Sequence, residues 1–243
     1  MSLNIDKCFH LHFSRGRFPP GQSYHFDGTY LQSMASARDL GVMIDSKLRF
    51  NVHIDNIVKK AFRSLGFIIR SCKEFKNPST LIALYNAYVR SGLEYCSVIW
   101  NPHYNVYIKR LESVQKRFLW HLSYGCGLAK ELSSYPVRMN HFNLDSLQSR
   151  RLMLDVLFFC KLLRGGVDSP ELLSRINFGV PSRAPRPGRY TPFRLNYFRT
   201  NLGRFSPLNR FMDVANSLSH DVDLFNDAFS KIKRLILVRG SDN

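Results

Sequence analysis

STLIALYNAYVRSGLEYCSVIWNPHYNVYIKRLESVQKRFLWHL, residues Ser79–Leu122, is the stretch from which the fold is read. Asn77 and Pro78 stand just before it, a side chain that caps free N–H groups followed by a ring suited to the first helical position. Leu81, Leu84, Tyr85, Tyr88, Gly92 and Tyr95 recur at spacings of three and four, which predicts a helix with these residues on one face. Pro102 prevents its simple continuation, because proline lacks an N–H and pushes Asn101 out of the α region. A second helix is predicted from Tyr104 to about Leu122. Ile108, Leu111, Val114, Phe118, Leu119 and Leu122 fall on one side of it, and Lys109, Arg110, Lys116 and Arg117 on the other, with Trp120 between. Such a helix buries one face and offers cations and an indole to a partner. The simpler reading is a solvated face beside a second-core tryptophan.

Upstream, Asn51 to about Cys72 reads as a third helix. Ile54, Ile57, Val58, Ala61, Leu65, Ile68 and Ile69 form its apolar stripe, and Lys59, Lys60, Arg63 and Arg70 its opposite face. Three helices thus fill residues 51–125, and Gly125 and Gly127 mark their end. Before them come short strands: Phe9 to Phe13, a hairpin around Asp27-Gly28, and Leu40 to Ile44. They are too few to close a stable sheet. Beyond residue 125 the pattern is again helical. After a polar connector, Leu147 to Leu163 is preceded by an Asp145–Gln148 capping box, a short helix opens at Ser169-Pro170, and Leu224 to about Val238, with Phe225, Phe229, Ile232 and Ile236 inward, is placed against the Leu147–Leu163 helix. The predicted class is therefore mostly α, of α+β type, divided into residues 1–50, 51–125 and 126–243.

The formal charge of +17 over 243 residues points to polyanionic partners, RNA and DNA or an acidic membrane surface. A membrane surface fits less well, because the helix cations face away from a core-forming stripe instead of flanking an exposed apolar one. The run Leu152–Leu163 is too short to span a bilayer and holds Asp155 and Lys161. Five scattered cysteines with no C-x-x-C pair read as reduced thiols. A soluble intracellular protein is expected, nuclear or cytoplasmic.

Residues 176–212 form a long loop with seven arginines (Arg183, Arg186, Arg189, Arg194, Arg199, Arg204, Arg210) and no carboxylate. Phe178, Tyr190, Phe193, Tyr197, Phe198, Phe205 and Phe211 are interleaved with them. Guanidinium forks bind phosphates and aromatic faces stack bases, so the composition fits a single-strand or RNA track. Its alternative is an irregular loop whose aromatics pin it to the core while the arginines face water. Arg150 and Arg151 are further phosphate candidates, since cations in a first helical turn oppose the helix dipole.

Leu93-Glu94-Tyr95, Val98-Ile99-Trp100-Asn101-Pro102 and Ile108-Lys109-Arg110-Leu111-Glu112-Ser113-Val114-Gln115-Lys116-Arg117-Phe118 together resemble the segment after the polymerase palm in reverse transcriptases of non-LTR, jockey-like retrotransposons. The resemblance extends through Asp39-Leu40-Gly41-Val42 and Leu144-Asp145-Ser146-Leu147 with Arg150-Arg151, and so covers most of the chain. It implies that residues 1–50 are a palm edge with primer-grip strands, that 51–125 are a thumb clamping template–primer through its backbone, and that Lys7 is a general acid near the leaving pyrophosphate. The family's reaction is RNA-templated DNA synthesis with two Mg²⁺ ions on paired carboxylates. No Asp-Asp pair occurs in this sequence, and Asp6, Asp39 and Asp45 stand alone. The expectation is a fragment beginning after the active site, with no metal site or cofactor of its own. It would bind template–primer or element RNA, with the missing polymerase portion as a further partner, and would be inactive alone. A host-adopted, non-enzymatic nucleic-acid-binding protein and a non-functional remnant are the alternatives.

Overall fold

The computed structural model describes residues 4–5, 8–14, 23–75, 77–180 and 191–241. They are mostly helical, with short strands in three separate two-stranded pairs. The chain divides into two compact units, Met1–Lys59 and Lys60–Asn243, the boundary falling inside one long helix.

In the first unit, β1 (Phe9–His10) pairs in parallel with β4 (Gln32–Ser33), and β2 (His25–Phe26) and β3 (Thr29–Tyr30) form the hairpin predicted around Asp27-Gly28. Asp27 and Gly28 both take positive φ, as a tight two-residue hairpin turn requires. The strand expected at Leu40–Ile44 is instead half of a second hairpin, β5 (Ser36–Asp39) against β6 (Val42–Asp45). Leu40 and Gly41 are its turn, at φ 43° and 89°. The Asp45 carboxylate accepts from the N–H groups of Lys47, Arg49 and Phe50, which holds Leu48 and Phe50 at positive φ before the helix α1 (Asn51–Ser71) begins.

His53 on α1 is buried, and its Nδ1 accepts the Met43 N–H at 3.2 Å, a bond available only to the neutral ring. Burial, and then Arg38, lower its pKa. Burial likewise lowers His103, with help from Arg210, and His121, with help from Arg117. Below about pH 6.5 the unfolded chain binds protons that these folded sites take up only at lower pH, so stability present above that value is lost as pH falls. The melting temperature should drop between pH 7.5 and pH 5, and His53→Gln should flatten the drop. A stability rising toward pH 5 would contradict the burial of these rings.

The second unit departs from the sequence pattern at its start. The first central helix is segmented into α2 (Pro78–Tyr85), a π-helical turn at Asn86–Arg90, α3 (Ser91–Glu94) and α4 (Ser97–Trp100). Asn77 caps α2 through the Ser79 N–H, as its position suggests. The buried set is Tyr85, Val89 and Leu93, whereas Tyr88 and Tyr95 are exposed. The wide i→i+5 turn brings residues four apart into line, and the predicted face is rotated away. Cys96, at φ 52°, breaks the helix before α4, and the Trp100 indole donates to the Tyr95 carbonyl at the break.

The helix α5 (Asn105–Gly125) follows, with Leu111, Val114, Phe118, Leu119 and Leu122 inward and Phe118 stacked on Tyr85 at 4.2 Å. Residues read as a polar connector contain α6 (Tyr135–His141), capped by Ser134 and opened by Pro136. The helix α7 (Leu147–Leu163) is capped by Ser146, whose hydroxyl accepts the Ser149 N–H; Asp145 and Gln148 do not make the expected box. The short α8 (Pro170–Leu173) precedes the arginine-rich stretch, and the short α9 (Asn201–Arg204) lies within it. That stretch ends in α10 (Pro207–Leu218), a helix that the arginine and proline content had hidden, with Pro207 in its first turn. The last helix, α11 (Phe229–Ser241), packs on α7 as expected, with Ile232 and Ile236 buried; Phe225, expected to face inward, is exposed. Met153, Val156 and Phe159 of α7, Phe211 and Ala215 of α10, and these two isoleucines make one core.

Side chains tie residues 60–125 to the remainder of this unit. Asp155 on α7 accepts from Arg210 on α10 and from Asn101 before α5, and Asn101 in turn accepts from Arg151. Glu112 of α5 accepts the Gln148 N–H at the start of α7 (2.7 Å) and the Tyr135 hydroxyl of α6 (2.6 Å). A carboxylate at that helix start is favoured by the helix dipole.

Candidate nucleic-acid interface

The inward turn of Glu112 settles the chemistry of the opposite face of α5. It is the sole acidic residue of α5, and Lys109, Arg110, Lys116 and Arg117 stand exposed on that helix. Trp120, 43% exposed, carries the Arg117 guanidinium 5.1 Å from its ring centre and stacks on Tyr124 at 5.8 Å and 17°. The Lys116 ammonium lies 5.1 Å from the ring centre of Tyr135 on α6. Cation–π contacts of this kind orient the cations without neutralising them. The result is a stripe of about four turns that offers positive charge along its length and aromatic faces at one end. Point charges and forks so arranged suit a sugar-phosphate backbone, and the rings suit a base or ribose. Tyr124 was not singled out from the sequence, although it lies four residues beyond Trp120 on the same face.

On α1, Lys59, Lys60, Arg63 and Arg70 are all exposed, as the helix pattern requires. Arg194 and Arg199 are exposed as well. Lys7, Arg183, Arg186, Arg189 and Tyr190 lie outside the described residues.

Arg150 and Arg151 are corrected by the structure. Arg150 is held by Glu94 through two parallel contacts, one from Nε and one from Nη2 at 3.0 Å, and Arg90 lies on the same carboxylate. Arg151 is fully buried, its Nε donating to Asn101 and its pKa pulled down by burial against Glu112, Glu94 and Asp155. Neither is placed to meet a phosphate. The helix-dipole argument correctly asks for an anion at the start of α7, but Glu112 already supplies it. Arg210 is likewise an interior partner of Asp155, whose carboxyl is raised by burial while Arg210 and Asn101 act against the shift. Of the aromatic residues in the arm, Phe193 and Phe211 are core, whereas Phe178, Tyr197 and Phe198 are exposed.

Among the described residues no group of three or more His, Cys, Asp or Glu side chains is placed to hold a metal ion. Asp45 spends its oxygens on backbone N–H groups, and Asp39 stands exposed at the hairpin turn. These residues do not fit the paired-carboxylate site of a two-metal polymerase. No helix among the described residues is long and apolar enough to cross a membrane.

No family model matches the chain, and no solved structure matches it. It is similar to a Caenorhabditis elegans protein whose name records only that it is uncharacterized, with 29% identity over 157 residues, 65% of this chain and 77% of that one.

Proposed function

We propose that the chain is a thumb-like and C-terminal portion of a non-LTR retrotransposon reverse transcriptase, and that α5 grips the sugar-phosphate backbone of a template–primer or of element RNA. The reading rests on the exposed stripe Lys109, Arg110, Lys116, Arg117 and Trp120, with the single acid of its helix turned inward. The resemblance of the surrounding words to the segment after the palm supports it, as does the mostly helical make-up of residues 60–243. Phosphate contact without base readout gives affinity with little sequence preference.

Binding of a labelled duplex, followed by anisotropy across a salt series, tests this. The logarithm of the affinity should fall linearly with the logarithm of salt, at about −0.9 per phosphate neutralised. A flat response would remove the reading. The purified chain with Mg²⁺, nucleotides and a primed RNA template should extend no primer, because the family's Asp-Asp turn is absent from these residues. Incorporation above background would place a catalytic centre among carboxylates that now read as turn and ion-pair groups.

A further inference from the structure

The base of the arginine-rich arm holds a cavity of about 360 Å³, at the small end of the range for ligand pockets. Two chain segments meet there. Gly179 N–H donates to Pro192 O and Arg194 N–H to Asn177 O, and no Cβ fits at Gly179, where Thr191 O would lie 2.6 Å from it. Asn216 of α10 clamps the returning segment through both the N–H and the C=O of Phe193. The buried Asn209 accepts the Asn196 N–H (3.0 Å) and donates to Arg204 O (2.9 Å). The cavity wall is therefore fixed by side-chain bonds to backbone.

What lines it has a consistent chemistry. Asn177 and Asn196 both line it, and Asn177 Nδ2 donates to Asn196 Oδ1 at 2.7 Å, which leaves the Asn177 amide an acceptor oxygen and the Asn196 amide a donor nitrogen. Phe198, 41% exposed, sits so close over Gly203 that a Cβ there would lie 2.5 Å from two ring carbons. One side of the ring is thus held against bare backbone while the residue lines the cavity. Arg175 and Ser206 complete the rim. A fixed aromatic face, an adjacent acceptor and donor, and a guanidinium match the three parts of a nucleotide: base face, base edge and phosphate.

We infer that this cavity seats one unstacked nucleotide of a single-stranded RNA or DNA, with the base on Phe198, its edge on Asn177 and Asn196, and a flanking phosphate on Arg175. The inference rests on the reading of the chain as a nucleic-acid binder, but uses residues separate from α5. Binding of a fluorescein-labelled octauridylate and of a blunt 20-base-pair duplex should be measured side by side on the full chain. Phe198→Leu, Asn196→Ala and Gly203→Ala should each weaken octamer binding about tenfold and leave duplex binding within about twofold. Lys116→Gln with Arg117→Gln should do the reverse. Octamer affinity unchanged in Phe198→Leu and in Asn196→Ala overturns the cavity assignment and leaves the α5 reading intact. A wild-type chain that binds the octamer but not the duplex overturns α5 and leaves the cavity. Asn196→Ala keeps the backbone bond to Asn209, so it separates loss of a contact from loss of the fold, which circular dichroism checks.

Discussion

Lys116→Gln together with Arg117→Gln is expected to reduce affinity for duplex nucleic acid roughly tenfold to a hundredfold at about 0.1 M salt. The slope of log affinity on log salt should become shallower by about 1.8, because two phosphate contacts at about 0.9 each are lost. Both side chains are exposed on α5, so the fold should be little affected, by no more than the order of 1 kcal/mol from the lost contacts with Tyr135 and Trp120. Arg150→Gln is the control that separates this structure from composition alone. Its guanidinium is committed to Glu94, so stability should fall while the salt slope stays unchanged. A change of slope in Arg150→Gln equal to that of the α5 pair would mean that bulk charge, and not a placed stripe, drives binding.

Asp155→Ala is expected to cost about 3–5 kcal/mol, the largest stability loss of any single change considered, because it leaves buried cations without a counter-charge. Asp155 is fully buried and takes two bonds from Arg210 and one from Asn101, while Arg151 lies beside it with only its Nε bonded, to Asn101. Removing the carboxylate breaks the ion pair between α10 and α7 and leaves Asn101 with only its bond from Arg151. Asp155→Leu combined with Arg210→Met should recover much of the loss, since an apolar pair of similar volume removes the desolvation cost as well as the attraction. Urea unfolding with a constant m-value measures both. A loss below about 1 kcal/mol for Asp155→Ala would show that water reaches this centre.

These two experiments address different parts of the same helical unit, one an exposed helix face and the other its interior. Glu94, Trp100, Asn101, Glu112, Gln115, Arg150 and Arg151 form or adjoin a linked interior network: Glu94 with Arg150, Asn101 with Arg151 and Asp155, Glu112 with Tyr135 and the start of α7, and Gln115 with Tyr85, Tyr135 and Asp145. Their chemistry reads as a scaffold that orients α5 and α7. The cations of α5 that would meet nucleic acid are displayed by that scaffold.

Periodicity was sufficient for α1, α5 and α11, where apolar residues at three and four dictate one buried face whatever they pack against, and a broad apolar run was sufficient for α7. Asp27-Gly28 was sufficient for its hairpin, because few residues other than these accept the required φ. Local signals failed where distant groups decide. The π turn at Asn86–Arg90 shifted the buried face from Tyr88 to Val89, and α10 lay unread behind arginines and prolines. The partners of Arg150, Arg151 and Arg210 are 50 or more residues away along the chain. A cation's role depends on whether a carboxylate reaches it, and that distance exists only once the helices have packed. The cavity at Phe198 belongs to the same class, since Asn177, Asn196 and Asn209 meet through side-chain hydrogen bonds spanning 19 and 13 residues that no spacing in the chain announces.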